Sequence, residues 1–148
     1  MNITSLTPAC AHTTILLPLY LSRIAAGFPS PADDYLDDGL DLNEHLIKHP
    51  AATYFARAEG DSMIELGIFT GDLLIVDRAI QAVDGDVVVV AVDGLLTIKV
   101  LDLARSRLLP ANKLYRPIEI SAESQVDIEG VVLHAVHHLR AGGRGACL

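Results

Sequence analysis

From Thr53 onward the apolar positions fall in short runs separated by turn residues, which predicts a mostly β chain. Thr53-Tyr54-Phe55-Ala56-Arg57-Ala58 is dominated by aromatic and β-branched residues and reads as a strand. Leu73 to Val76, Asp86 to Val92 and Leu95 to Leu101 follow as strand-like runs, with Asp93-Gly94 between the last two as a two-residue hairpin signal. Val83-Asp84-Gly85-Asp86 reads as another turn. Leu109-Pro110-Ala111-Asn112 and Tyr115-Arg116-Pro117-Ile118 predict a loop feeding a short strand, and Val126 to His138 predicts one long terminal strand or two bent ones. Ahead of the strands, Asp41-Leu42-Asn43-Glu44 fits a capping box, so a short helix is expected through His45, Leu46 and Ile47, ending before Pro50.

The first 26 residues differ. They carry one charged side chain, Arg23, and an apolar stretch, Thr14 to Leu21. Ala25-Ala26-Gly27 imitates the small-residue end of a secretory signal, yet no Lys or Arg precedes the apolar run and Pro18 interrupts it. The stretch is also too short to span a membrane. The alternative is an arm that pairs with the body of the protein as an extended strand. Phe28-Pro29-Ser30-Pro31 then reads as an extended linker, because proline restricts both itself and the residue before it. Asp33, Asp34, Asp37 and Asp38 form an acidic run that suits the solvated start of a helix.

Composition narrows the function classes. A chain of 148 residues suits one domain with a real core, and with no Trp and few aromatics that core must be Val, Ile, Leu and Ala. The net charge of −8 argues against sequence-specific gripping of DNA, so protein partners are expected. Cys10 and Cys147 lie at opposite ends without metal-ligand spacing, which suggests a reducing, cytoplasmic setting and no disulfide framework. His45 and His49 are four apart on the expected helix but lack a third ligand, and read as ordinary surface histidines. In the last strand, alternation sets His134 and His138 on one face and His137 on the other, so neither a metal nor a cofactor is expected there. The tail, 141–148, reads as disordered.

Two residues carry candidate chemistry. Ser62 stands in Glu59-Gly60-Asp61-Ser62-Met63, at a strand-to-turn junction where Gly60 allows close backbone approach. Lys99 lies in Leu95-Leu96-Thr97-Ile98-Lys99-Val100-Leu101, where alternation leaves apolar residues on both faces. The lysine can lay its stem along an edge strand and reach water. It can instead be desolvated, which favours the neutral amine, a general base. Ser62 likewise can be no more than a turn or cap residue.

Gly27-Phe28-Pro29-Ser30-Pro31, Gly60-Asp61-Ser62-Met63-Ile64, Gly71 to Asp77, Ala91-Val92-Asp93-Gly94 and Thr97-Ile98-Lys99 occur in an order that resembles the UmuD-like members of the LexA-like serine-lysine autoproteases. The resemblance runs from about Gly27 to Arg140. It implies a fold of twisted, partly barrel-like sheets with a short helix and an extended N-terminal arm. It implies Ser62 as nucleophile and Lys99 as general base; backbone N–H groups around that serine, with those of Ser62 and Met63 as candidates, are the natural oxyanion donors, which the sequence alone does not assign. The self-cleaved bond would join Ala26 to Gly27, where the UmuD-like pattern more often has Cys before the glycine. The implied organisation is an arm over 1–26 that is removed, a linker over 27–40, the protease domain over 41–140 and the tail.

The same resemblance implies a homodimer and stimulation by a RecA filament on single-stranded DNA. It also implies assembly of the shortened form with a UmuC-like Y-family polymerase subunit and with the sliding clamp, in the SOS response. Three other classes stand beside this reading. A LexA-like repressor needs a basic helix-turn-helix domain before the cut, which 26 residues with one Arg cannot supply. A type I signal peptidase needs a membrane anchor. A silent interaction domain would keep the fold while Lys99 stayed exposed and charged.

Overall fold

The computed structural model describes residues 13–20, 23–28 and 36–140. Pro29 and Pro31, Asp33 and Asp34, both cysteines and the 141–148 tail lie outside the described residues. The chain is mostly β, with two sheets and one short α-helix among the described residues, and divides after His45 into two units.

In the N-terminal unit, β1 (Leu17–Tyr20) pairs antiparallel with β2 (Leu36–Leu40), Leu17 opposite Leu40 and Tyr20 opposite Leu36. The apolar arm thus forms a strand, and its strand partner is the stretch read as the end of the linker. Asp37 and Asp38 lie on β2, which corrects the expectation of a helix start. Gly39 explains the difference: its φ of +122° is not helical, and a Cβ there would meet Leu16 Cβ at 3.0 Å. The helix α1 begins only after it, over Leu42–Leu46. Asp41 caps it, Oδ1 accepting the Glu44 N–H at 3.0 Å while Oδ2 accepts the Ile15 N–H at 2.8 Å. One carboxylate therefore ties the entry to β1 to the start of α1.

The second unit holds a seven-stranded antiparallel sheet. In chain order its strands are β3 (Thr53–Arg57), β4 (Leu73–Asp77), β5 (Val87–Val92), β6 (Leu95–Asp102), β7 (Arg107–Leu109), β8 (Ile118–Glu119) and β9 (Val126–Val136). Across the sheet the order is β3-β4-β9-β5-β6-β7-β8. The terminal strand is therefore central: its first half pairs with β5 and its second half with β4. Gly130 sits at the changeover with φ +151°, where a Cβ would lie 2.6 Å from Val76 Cγ1. One long strand can serve both neighbours because it bends at a residue without a side chain.

β5 shows why the core needs no aromatic residues. Val88 and Val90 are fully buried in one cluster with Leu101, Leu108 and Val131, while Val89 faces another with Leu74, Val76, Met63, Ile68 and Ala58. An unbroken valine run is what a strand covered on both faces requires. The β5-β6 turn, Asp93-Gly94, has φ of 49° and 82°, both positive as a type I′ hairpin demands. This turn sets the register that places Lys99 opposite Val88.

Candidate active site

Ser62 follows the end of β3 on a loop pinned at both sides. The Ala58 N–H donates to Asp72 O at 2.9 Å and the Gly71 N–H returns to Ala58 O at 2.8 Å. The Gly60 N–H donates to Thr70 Oγ1, whose hydroxyl donates back to Gly60 O, each at 2.9 Å. Gly60 itself has φ +94°, so the chain turns there at no Cβ cost. Met63, only 3% exposed, inserts into the core immediately after the serine and fixes the far side of the turn. Ser62 is thereby left half-buried between two anchored points.

Lys99 reaches this turn from β6. Its residue is 8% exposed, and its Nζ donates to Ser62 Oγ at 3.1 Å, to Thr97 Oγ1 at 3.1 Å and to Ile98 O at 2.9 Å. Of the two sequence readings, snorkelling to water and desolvation, the geometry selects the second. Burial pushes the ammonium down from the ordinary lysine range, and among the described residues its hydrogen-bond partners include no carboxylate to hold the proton. An amine that sheds its proton readily, within hydrogen-bond reach of a hydroxyl, is the pairing that base-assisted nucleophilic attack requires.

The structure thus brings Ser62 and Lys99 together across 37 positions of sequence. The N–H groups of Ser62 and Met63 donate no hydrogen bond among the described residues. Ala26 and Gly27 are exposed, in a bend of the N-terminal unit. Sequence reasoning missed Thr97, although its position two residues before Lys99 on a strand puts both side chains on one face. His49 is exposed, as expected of a surface histidine, but it has an unforeseen partner: its Nδ1 pairs with the fully buried Asp77 carboxylate at 2.6 Å. His137 does the same for Asp72, at 2.5 Å, with its ring tilted against Phe69. Both pairs brace the ends of β4.

The Peptidase S24-like family model matches residues 18–133, a span that holds both members of the pair. The chain belongs to the Peptidase S24-like family. It is therefore a serine peptidase by family, of the group that includes the LexA-like autoproteases. Among S24-like relatives, Protein SamA of Salmonella typhimurium is 46% identical over 125 residues, covering 84% of this chain and 87% of that protein. Protein MucA of Escherichia coli is 43% identical over 122 residues, 81% of this chain and 84% of its own. The LexA repressor of Stenotrophomonas maltophilia is 41% identical over 126 residues, 84% of this chain but 59% of the repressor. Among the described residues, no helix is long and apolar enough to cross a membrane.

Proposed function

We propose that the chain is a UmuD-like self-cleaving peptidase that cuts its own Ala26–Gly27 bond and acts afterwards as an accessory to error-prone DNA synthesis. The observation that carries the chemistry is the 3.1 Å contact between the buried Lys99 Nζ and Ser62 Oγ. Neutral Lys99 takes the hydroxyl proton as Ser62 Oγ attacks the Ala26 carbonyl carbon. The N–H groups of Ser62 and Met63 hold the oxygen that becomes negative. Lys99 then returns the proton to the Gly27 nitrogen as the C–N bond breaks, leaving the arm as an ester on Ser62. Water, deprotonated by the same amine, attacks the ester carbon; the C–Oγ bond breaks, Lys99 hands the proton to Ser62 Oγ, and the arm leaves with a free carboxyl group. Small residues on either side of the bond suit a narrow cleft, and glycine tolerates the bent backbone that presents a carbonyl to the serine.

In this reading residues 1–26 are the arm, 27–40 a linker, 41–140 the protease domain and 141–148 a tail. The UmuD-like motif blocks and the identity to Protein SamA support a place in the SOS response. There a RecA filament on single-stranded DNA stimulates the cut in the cytoplasm. The shortened homodimer joins a UmuC-like Y-family polymerase subunit and the sliding clamp. The net charge of −8 supports recognition through protein rather than through direct DNA contact. The test is incubation of the wild type and Ser62→Ala with RecA, single-stranded DNA and nucleotide, followed by N-terminal sequencing. A fragment beginning at Gly27 from the wild type alone is expected, and the same fragment from Ser62→Ala would refute the assignment. Capture by the polymerase subunit should favour the shortened form, and equal capture of both forms would count against the switch.

A further inference from the structure

A second loop, 110–115, grips the Ser62 turn, and the serine-lysine chemistry assigns it no role. The Ala111 N–H donates to Ser62 O at 2.7 Å, and Ala111 O accepts the Glu65 N–H at 2.9 Å. Asn112, 5% exposed, donates from Nδ2 to Asp61 O at 2.8 Å while its Oδ1 accepts the Leu114 N–H at 3.0 Å. The Tyr115 hydroxyl donates to Asp61 Oδ1.

The carbonyls gripped are informative. A trans peptide is planar, with its N–H directed opposite its C=O, and the described residues contain no cis bond. Asp61 O belongs to the peptide whose N–H is that of Ser62, and Ser62 O to the peptide whose N–H is that of Met63. Holding these two oxygens therefore aims the two N–H groups, both away from the 110–115 loop. We infer that Asn112 is a positioning residue that, with the Ala111 backbone, orients the oxyanion donors of Ser62 and Met63. Because Lys99 is held separately by Thr97 and Ile98, loss of Asn112 lowers the rate without changing the pH at which the base becomes active.

This inference rests on the proposed self-cleavage, and the test separates the two. The rate of arm release is followed from pH 6 to 11 for wild type, Asn112→Asp and Tyr115→Phe, with thermal unfolding of each as a check on folding. Asn112→Asp keeps the shape, but its carboxylate cannot donate to Asp61 O. Its plateau rate should fall ~10- to 100-fold, the scale of a misaimed catalytic group, while the added negative charge moves the pH midpoint only upward, by favouring the protonated lysine. A merely structural loop would lower the unfolding temperature and leave the plateau of the folded protein intact. A folded Asn112→Asp that reaches the wild-type plateau rate overturns the inference alone. If Asn112→Asp does not fold, Tyr115→Phe decides. A fall of about fivefold, the worth of one hydrogen bond, supports the inference, and the wild-type rate overturns it. A wild type inert at every pH, with and without RecA filament, overturns the proposed function and this inference together.

Discussion

Lys99 occupies a site that suits its chemistry better than its solvation. Its unfolded form binds a proton up to the ordinary value of 10.5, while burial lowers that value in the folded protein. Between the two values the unfolded state binds more protons, so stability must rise with pH across that window. Lys99→Met, which cannot titrate, should not share the rise. Urea unfolding at several alkaline pH values should show the wild type gaining on Lys99→Met, and a constant gap would contradict a desolvated amine. Asp77 gives the opposite sign. Burial pushes its carboxyl up, but hydrogen bonds from His49 and from the Ala79 and Ile80 N–H groups, with the His49 charge, outweigh this and hold it below the usual carboxylate range. A carboxylate held low contributes stability above its unfolded value, lost as pH falls through the lower folded one. Acid unfolding should therefore steepen below about pH 4. His49→Ala, which strips a partner from a buried acceptor, should cost about 1–2 kcal/mol at neutral pH and move the acid limb upward. No change in either would show the pair to be inert. At this scale Lys99 was legible because a single charge interrupts an apolar run. The partner of His49 was not, because Asp77 lies 28 residues away and meets it only through strand pairing.

Two glycines with different surroundings separate backbone strain from packing. Gly94, at φ +82° in the β5-β6 turn, has open space where a Cβ would stand, so Gly94→Ala pays only for backbone conformation, about 1 kcal/mol. Gly130 adds a clash with the fully buried Val76, so Gly130→Ala should cost ~2–4 kcal/mol in denaturant unfolding. Equal costs would mean that β9 does not bend where it passes from β5 to β4. The hairpin was plain in the sequence because Asp-Gly between apolar runs specifies its own turn. The bend of β9 was only half legible: one long strand and two bent ones share the same alternation, and Gly130 alone marks the junction. The acidic run misled because Asp favours helix starts, whereas Asp37 and Asp38 lie on β2 and the backbone at Gly39 is not helical. The 110–115 loop has no periodicity at all, and its role emerges only from the carbonyls it grips.

At the scale of the whole molecule, a seven-stranded sheet with two aliphatic clusters holds the serine and the lysine, while the proposed cleavage bond, Ala26–Gly27, belongs to the N-terminal unit. Composition and run length were enough for the mostly β class. The strand order was not, since nothing in the last strand's sequence announces that it lies between β4 and β5. In the proposed function a buried, readily neutral Lys99 activates Ser62 against the chain's own Ala26–Gly27 bond. The most direct test is an intact-mass time course of the purified protein from pH 6 to 11, with Lys99→Ala alongside and RecA filament added in parallel. The expected product is a fragment spanning 27–148, formed faster as pH rises, levelling off below the ordinary lysine value and absent from Lys99→Ala. A fragment that Lys99→Ala forms equally well, or a cut at another bond, would contradict it.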